Sequence, residues 1–183
     1  MRYCSKCGNT VDMIIPKGDN RPRAVCPKCE NIDYDNPRII TGTIPLYEGK
    51  LLLCRRNIEP RIGFWTLPAG FMENQESTAE GALRETLEES GSKAKCLQLF
   101  SILSIPHINQ VHMFYLAELE RDDFHPTEES SEVALFELDD IPWDELAFSS
   151  VEKTLKFFVD DHKKGRYSLH DDNIILDQLC SKK

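Results

Sequence analysis

The sequence predicts an α+β chain in which a small metal-bound segment precedes a domain of strands and helices, and three observations predict it. Four of the seven cysteines fall in two tight pairs before residue 30. Between residues 39 and 136, short apolar and β-branched runs recur, punctuated by Gly, Pro and Asn. One capped helix pattern interrupts those runs and a second follows them. At 183 residues there is room for one sizeable core but not for two ordinary domains.

The first element is the pair of knuckles. Cys4-x2-Cys7 and Cys26-x2-Cys29 are separated by 18 residues, with Gly8 after the first and Pro27 within the second. This is zinc-ribbon spacing, because four thiolates suit tetrahedral Zn²⁺ and the ion can hold a segment too small to fold on its own core. Residues 1–35 are therefore read as a zinc ribbon with Cys4, Cys7, Cys26 and Cys29 as ligands; two disulfides or a redox pair are the alternatives. Cys54, Cys96 and Cys180 lack metal spacing, and Cys54 in its apolar run reads as a small core residue rather than a nucleophile. Arg2, Lys6, Lys17, Arg21, Arg23 and Lys28 are set against Asp12, Asp19 and Glu30, and Tyr3 is the only aromatic before the second knuckle. Without interleaved aromatics a stacking platform for nucleic acid is poorly supported, and a stabilising or dimer-supporting role is expected instead.

Residues 33–37 read as a connector. Ile39–Tyr47 and Lys50–Arg56 form a hairpin around Glu48-Gly49, and a third strand runs through Phe64-Trp65-Thr66. Pro68 and Gly70 mark a turn, after which Ser77 and Glu80 form a capping box that starts a helix near residue 78. Ala79, Ala82, Leu83, Thr86 and Leu87 supply its less polar side, and Gly91 ends it. Cys96–Ile105 and Gln110–Leu119 are paired strands, Val133–Phe136 a shorter one and Asp140–Leu146 a helical turn. Val151–His162 is a helix with Leu155, Phe158 and Val159 inward; residues 163–183 carry a weak pattern, docked or flexible.

The chemistry gathers on the first helix. Glu85, Glu88 and Glu89 stand three and four apart, which groups them on one helix face. Three carboxylates repel unless something positive lies among them, and such oxygen clusters suit Mg²⁺ or Mn²⁺ in diphosphate chemistry. The plain alternative is a solvated acidic face. Arg84 adds a fork-shaped donor that can hold nearby carboxylates.

Gly70, Glu76, Arg84, Glu85, Glu88, Glu89 and Gly91 match every charged and glycine position of the Nudix box, so residues 37–160 resemble a Nudix domain, with 161–183 as a C-terminal tail. Thr86 and Ser92 stand where that family prefers bulky apolar residues, and Ala69 and Gln75 replace frequent glycines. The resemblance implies an α/β/α sandwich with a mixed sheet. It implies Glu85 and Glu89 as leading ligands of Mg²⁺ or Mn²⁺, Glu88 as a further one, Gly70 as a carbonyl ligand, and Glu76 with Arg84 as a brace. A downstream carboxylate is expected from Glu129 or Glu128, ahead of Glu132. For the substrate, Arg55, Arg56 and Arg61 are phosphate candidates, although Arg61 reads equally as a solvated loop residue. Phe64 and Trp65 are base-stacking candidates, with core packing the alternative for at least one. His107 and His112 read as surface or structural.

A ribbon followed by this domain resembles two groups. NADH pyrophosphatases carry a Ser-Gln-Pro-Trp array after the box, where this chain has Ser92-Lys93-Ala94-Lys95. In the ADP-ribose and FAD pyrophosphatases, the matching stretches are Asn36-Pro37, Leu53-Cys54-Arg55-Arg56, Ile58-Glu59-Pro60 and Trp65-Thr66-Leu67-Pro68-Ala69-Gly70, with Pro106 15 residues beyond Gly91. The resemblance thus implies a homodimeric pyrophosphatase releasing AMP from ADP-ribose or FAD. NADH or another dinucleotide is the alternative substrate, followed by a cap or housekeeping nucleotide. A sensor with a nucleic-acid- or protein-binding ribbon is the non-enzymatic alternative. A formal charge of -9 argues against broad binding to nucleic-acid backbones. No apolar run approaches the roughly 18 residues of a membrane span, and Met1 leads straight into the first knuckle, so a cytoplasmic protein without a signal peptide is expected.

Overall fold

Two knuckles and three short strands make up the first of the two units into which the chain divides, Met1–Pro37 and Arg38–Lys183. The computed structural model describes residues 1–175. In the first unit β1 (Asp12–Ile14), β2 (Arg23–Val25) and β3 (Ile32–Asp33) form an antiparallel sheet in that order. The knuckles repeat one backbone device: the Cys4 carbonyl accepts from Gly8 N–H at 3.0 Å, and the Cys26 carbonyl accepts from Glu30 N–H at 2.9 Å. Gly8 and Glu30 both take the left-handed conformation, at φ 69° and 58°. The buried hydrophobic residues of this unit are Cys4, Ala24 and Cys26, while Met1, Met13, Ile14 and Ile15 remain exposed. So small a core cannot offset the entropy of ordering the segment, and the four converging cysteines are the groups placed to supply a cross-link.

The second unit is built on one mixed sheet. Its strands are β4 (Arg38–Tyr47), β5 (Lys50–Arg56), β6 (Trp65–Thr66), β7 (Ala69–Phe71), β8 (Ala94–Ile105), β9 (Gln110–Leu119), β10 (Ser130–Phe136) and β11 (His170–Asn173). The order is β10-β5-β4-β9-β8-β11, with β6 beside β5 and β7 beside β4. β4 runs parallel to β9 and β8 parallel to β11, and the other pairings are antiparallel. The expected hairpin and paired strands are present. Two single 3-10 turns, Leu138–Asp140 and Trp143–Glu145, occupy the stretch read as a helical turn.

Helices α1 (Thr78–Ser90) and α2 (Ser149–Lys164) cover opposite faces. Successive residues of β4 show this: Thr43 meets Thr86 of α1, whereas Ile44 enters the core with Leu155 and Phe158 of α2. Phe100, Phe114 and Phe158 are fully buried there, and truncating such a ring typically costs about 3–5 kcal/mol. This is the expected α/β/α sandwich.

α1 starts on the predicted capping box of Ser77 and Glu80, and its Gly91 C-cap, at φ 72°, donates its N–H to the Leu87 carbonyl at 2.8 Å. Its buried side differs from the expectation. Gly81, Ala82, Glu85, Thr86, Glu89 and Ser90 face inward, while Leu87 is 43% exposed. The helix docks through small residues and hydroxyls (Thr86 Oγ1 lies 2.6 Å from Thr43 Oγ1), so two glutamates are carried inward with that face. The weakly patterned segment after α2 contributes β11: His170 Nε2 lies 2.9 Å from Asp161 Oδ2, and its ring stacks on Phe157 at 4.3 Å.

Stripping the metal from the ribbon thiolates with a chelator is expected to abolish amide protection across residues 2–35. Protection across β4 to β9 should persist, as read by hydrogen exchange with mass spectrometry.

Candidate active site

Arg84 organises the site. Its Nε and Nη2 donate to both oxygens of Glu76 at 3.0 and 2.9 Å. Nη1 donates to Glu85 Oε1 at 2.7 Å and Glu88 Oε2 at 2.9 Å, and Nη2 reaches the Phe71 carbonyl at 3.1 Å. All five N–H donors of the fork thereby find acceptors. Glu76 also accepts Glu73 N–H at 2.6 Å, and its hydrogen bonds, from Arg84 first and from that backbone N–H second, hold its carboxyl down at about 2. This brace ties the β7–α1 loop to the helix, as the resemblance implied.

The three helix glutamates occupy different environments. Glu85 and Glu89 are 8% and 5% exposed, whereas Glu88 lies at the rim on Arg84. Burial raises the Glu85 carboxyl above its ordinary value, against the pull of Arg84. Burial, helped by the charge of Glu85, pushes Glu89 up to about 8, while the Ala69 backbone and Arg56 oppose it. Glu89 Oε2 is buried without a hydrogen-bond partner. A Cβ on Gly70 would overlap the carboxyl group of Glu85, so a side chain there would push that carboxyl from its place.

Two buried carboxylates, one with an orphaned oxygen, beside a bare glycine backbone fit a hard divalent cation, which prefers oxygen donors. Among the described residues, the four cysteines alone bring three or more such ligand atoms within 4.8 Å of one another. Cys4 Sγ stands 3.6 Å from Cys29 Sγ, and Cys7 Sγ 3.5 Å from Cys26 Sγ. The edge of a tetrahedral zinc–sulfur site is about 3.8 Å, so this donor set fits zinc.

The three downstream carboxylates stand in different surroundings. The charge of Glu129 acts on both Glu85 and Glu89. Glu132 instead pairs with Arg55 Nη1 at 3.2 Å on β10, and the exposed Glu128 offers its backbone carbonyl to Asn57. The arginines expected at phosphate are engaged locally. Arg55 Nε donates to the Gly63 carbonyl at 2.8 Å, and Arg56 Nε to that of Pro60 at 2.7 Å. Trp65 is 6% exposed, edge-on to Phe136 at 4.9 Å and covered by Arg55, so its ring serves the core. Phe64 is half-buried beneath Arg61. His107 is exposed; His112 is half-buried, and desolvation pulls its imidazole down to about 4. Asn57 and Thr127, which hold the loop carrying Glu129, had no motif to mark them.

A family model described as NUDIX domain matches residues 37–157, and one described as Nudix N-terminal, a zinc ribbon, matches residues 2–35. The crystal structure of a NUDIX hydrolase from Nitrosomonas europaea is 46% identical and superposes with a TM-score of 0.92, over 95% of this chain and 99% of that one. The NAD-capped RNA hydrolase NudC of Chromobacterium violaceum is 31% identical over 138 residues, 74% of this chain and 51% of the relative. The ADP-ribose pyrophosphatase of Methanocaldococcus jannaschii is 27% identical over 132 residues, 69% of this chain and 75% of the relative. The chain spans about half the length of the NudC relatives it matches. No helix of the described residues is long and apolar enough to cross a membrane.

Glu76→Gln is expected to cost about 1–3 kcal/mol at pH 7, where wild-type Glu76 is ionised on Arg84. Because its folded pKa is depressed, that contribution is present above the unfolded value of 4.5 and disappears as pH falls toward about 2. Paired chemical melts of the two proteins from pH 7 to pH 3 should therefore draw together without meeting, since pH 3 lies above the folded value of about 2.

Proposed function

The chain belongs to the NUDIX family, and on that premise we propose that it hydrolyses the diphosphate of ADP-ribose to AMP and ribose 5-phosphate, and that of FAD to AMP and FMN. The observation that carries the proposal is the buried pair Glu85 and Glu89, with Glu129 acting on both and Arg84 beside them. Support for the substrate comes from the Leu53–Arg56 and Trp65–Gly70 stretches and from the likeness to an ADP-ribose pyrophosphatase along 75% of that protein.

Glu85, Glu89, Glu129 and the Gly70 carbonyl would hold Mg²⁺ or Mn²⁺, with Glu88 at the rim; the ion would supply charge to offset the diphosphate and would make a water molecule more acidic. Arg84 restrains Glu85 and Glu88, so the carboxylates need little rearrangement to receive it. Glu129 is the carboxylate we assign to completing the set, ahead of Glu128. Arg55 is held by the exposed carboxylates Glu132 and Glu145, which a phosphate can replace as partner, whereas Arg56 shapes the 58–60 loop by binding its carbonyls. Phe64 is the ring we assign to the base. Zinc on reduced Cys4, Cys7, Cys26 and Cys29 agrees with a cytoplasmic site of action. A homodimer completes the proposal by family resemblance.

A second reading, an NADH or NAD-capped RNA substrate, is favoured by the NudC relatives. Against it stands Ser92-Lys93-Ala94-Lys95 in place of the Ser-Gln-Pro-Trp array. A sensor is disfavoured because Glu85, Glu88 and Glu89 are all present.

Product release from ADP-ribose, FAD, NADH, an NAD-capped oligoribonucleotide and nucleoside triphosphates, with Mg²⁺ or Mn²⁺, tests the proposal. ADP-ribose or FAD should be the best substrate, and Glu89→Gln should lower its turnover on the order of 100-fold. Preference for NADH or capped RNA would transfer the assignment to the second reading. No turnover by folded, zinc-loaded protein would sink both.

A further inference from the structure

Glu129 stands on the loop before β10 rather than on a strand or helix, and that loop is tied to α1 where Thr127 Oγ1 donates to the Glu89 carbonyl, so something outside the loop must aim it. We propose that Asn57 is the residue that positions Glu129. The inference rests on the assignment of Glu129 to the metal-binding carboxylates.

Asn57 stands immediately after β5 and donates twice to the loop. Its backbone N–H reaches the Glu129 carbonyl at 2.8 Å, and its side-chain Nδ2 reaches the Glu128 carbonyl at 3.0 Å. Those carbonyls belong to the two peptide planes on either side of the Glu129 Cα. Because each peptide is planar, holding both of them sets the φ and ψ of Glu129 and with them the direction of its Cα–Cβ bond. One tie would restrain only one of the two planes, whereas two restrain both. Glu129 is itself exposed, so packing does not do this work.

The other side of the loop is anchored to the helix that carries the buried glutamates. Thr127 Oγ1 donates to the Glu89 carbonyl at 3.3 Å and accepts Ser130 N–H at 3.2 Å, and Thr127 N–H donates to the Ser130 carbonyl at 2.9 Å. The register of β10 against β5 then shifts between Ser130 and Glu132, and Ser131 Oγ donates to the Arg55 carbonyl. That bulge ends the regular pairing at the point where the chain turns toward the site. The loop is thus clamped between the end of β5 and α1, with Asn57 supplying the two bonds nearest Glu129.

Asn57→Asp and Asn57→Ala remove the Nδ2 donor and keep the backbone one, and each is combined with Glu129→Gln in a double-mutant cycle. Three quantities are read: kcat and KM with ADP-ribose, Mn²⁺ affinity of the zinc-loaded protein by calorimetric titration, and the melting temperature. Asn57→Asp is expected to lower kcat and Mn²⁺ affinity about tenfold, with KM within about twofold. In the Glu129→Gln background the same change should have less than about a twofold effect, since the group it aims is gone. Asn57→Ala should follow the same pattern and serves if the aspartate variant does not fold. Equal losses in both backgrounds would overturn the inference, as would unchanged kcat and Mn²⁺ affinity beside an impaired Glu129→Gln. A Glu129→Gln protein with wild-type Mn²⁺ affinity and turnover would instead remove the assignment on which it rests. The calorimetric arm stands whichever nucleotide proves to be the substrate.

Discussion

One guanidinium determines how much negative charge this fold can concentrate. Arg84 spends all five donors within its surroundings: two on Glu76, one each on Glu85 and Glu88, and one on the Phe71 carbonyl. Lysine has neither the fork nor the reach to brace a loop and a helix at once. Through Glu76 the loop is drawn against α1, and through Phe71 the end of β7 is drawn to the same point. The buried glutamates are then left beside a backbone whose bare Gly70 leaves room for the Glu85 carboxyl. Docking of the helix, closure of the loop and placement of the carboxylates therefore depend on the same ion-pair network.

The two units are stabilised by different physics. The domain around the mixed sheet buries three phenylalanines and a row of aliphatic residues between α2 and the strands. The ribbon buries two cysteines and an alanine, and its order comes from sulfur convergence and from repeated turns. One of those turns places Glu30 at a left-handed φ, where Gly8 serves the equivalent position of the other knuckle. A metal on those four thiolates would contribute far more than a single backbone preference, enough to offset that local cost.

Features carried by short-range chemistry were legible in the sequence. The cysteine spacing, the Ser77–Glu80 box, the β4–β5 hairpin and the Arg84–Glu76 brace all follow from residues close together in the chain or from a fixed motif. Features set by long-range packing were not. Leu87 looked like part of the apolar side of α1, yet the helix turns its hydroxyls and two glutamates to the sheet. Trp65 read equally as a stacking ring and as core, and only its contact with Phe136 decides. The sequence put Glu129 and Glu128 ahead of Glu132 without choosing between the first two. Their separation needs the bulge in β10 and the bonds from Asn57, made by a residue 72 positions away from Glu129. β11 has four polar residues and no alternation of its own, and it exists because β8 offers it a partner.

That last pairing has a colloidal consequence. β8 is 12 residues long, and without β11 the backbone edge along Ser101–Ser104 would lie open to a strand from another molecule. The strand that closes it is short and presents Asp171 and Asp172, so the edge of the sheet is moved from an apolar template to an acidic one. The latch is the contact of His170 with Asp161 and Phe157. Trimming the chain before residue 166 would leave the proposed catalytic residues in place while removing this guard. The shortened protein would then be limited by self-association in concentrated solution rather than by lost chemistry.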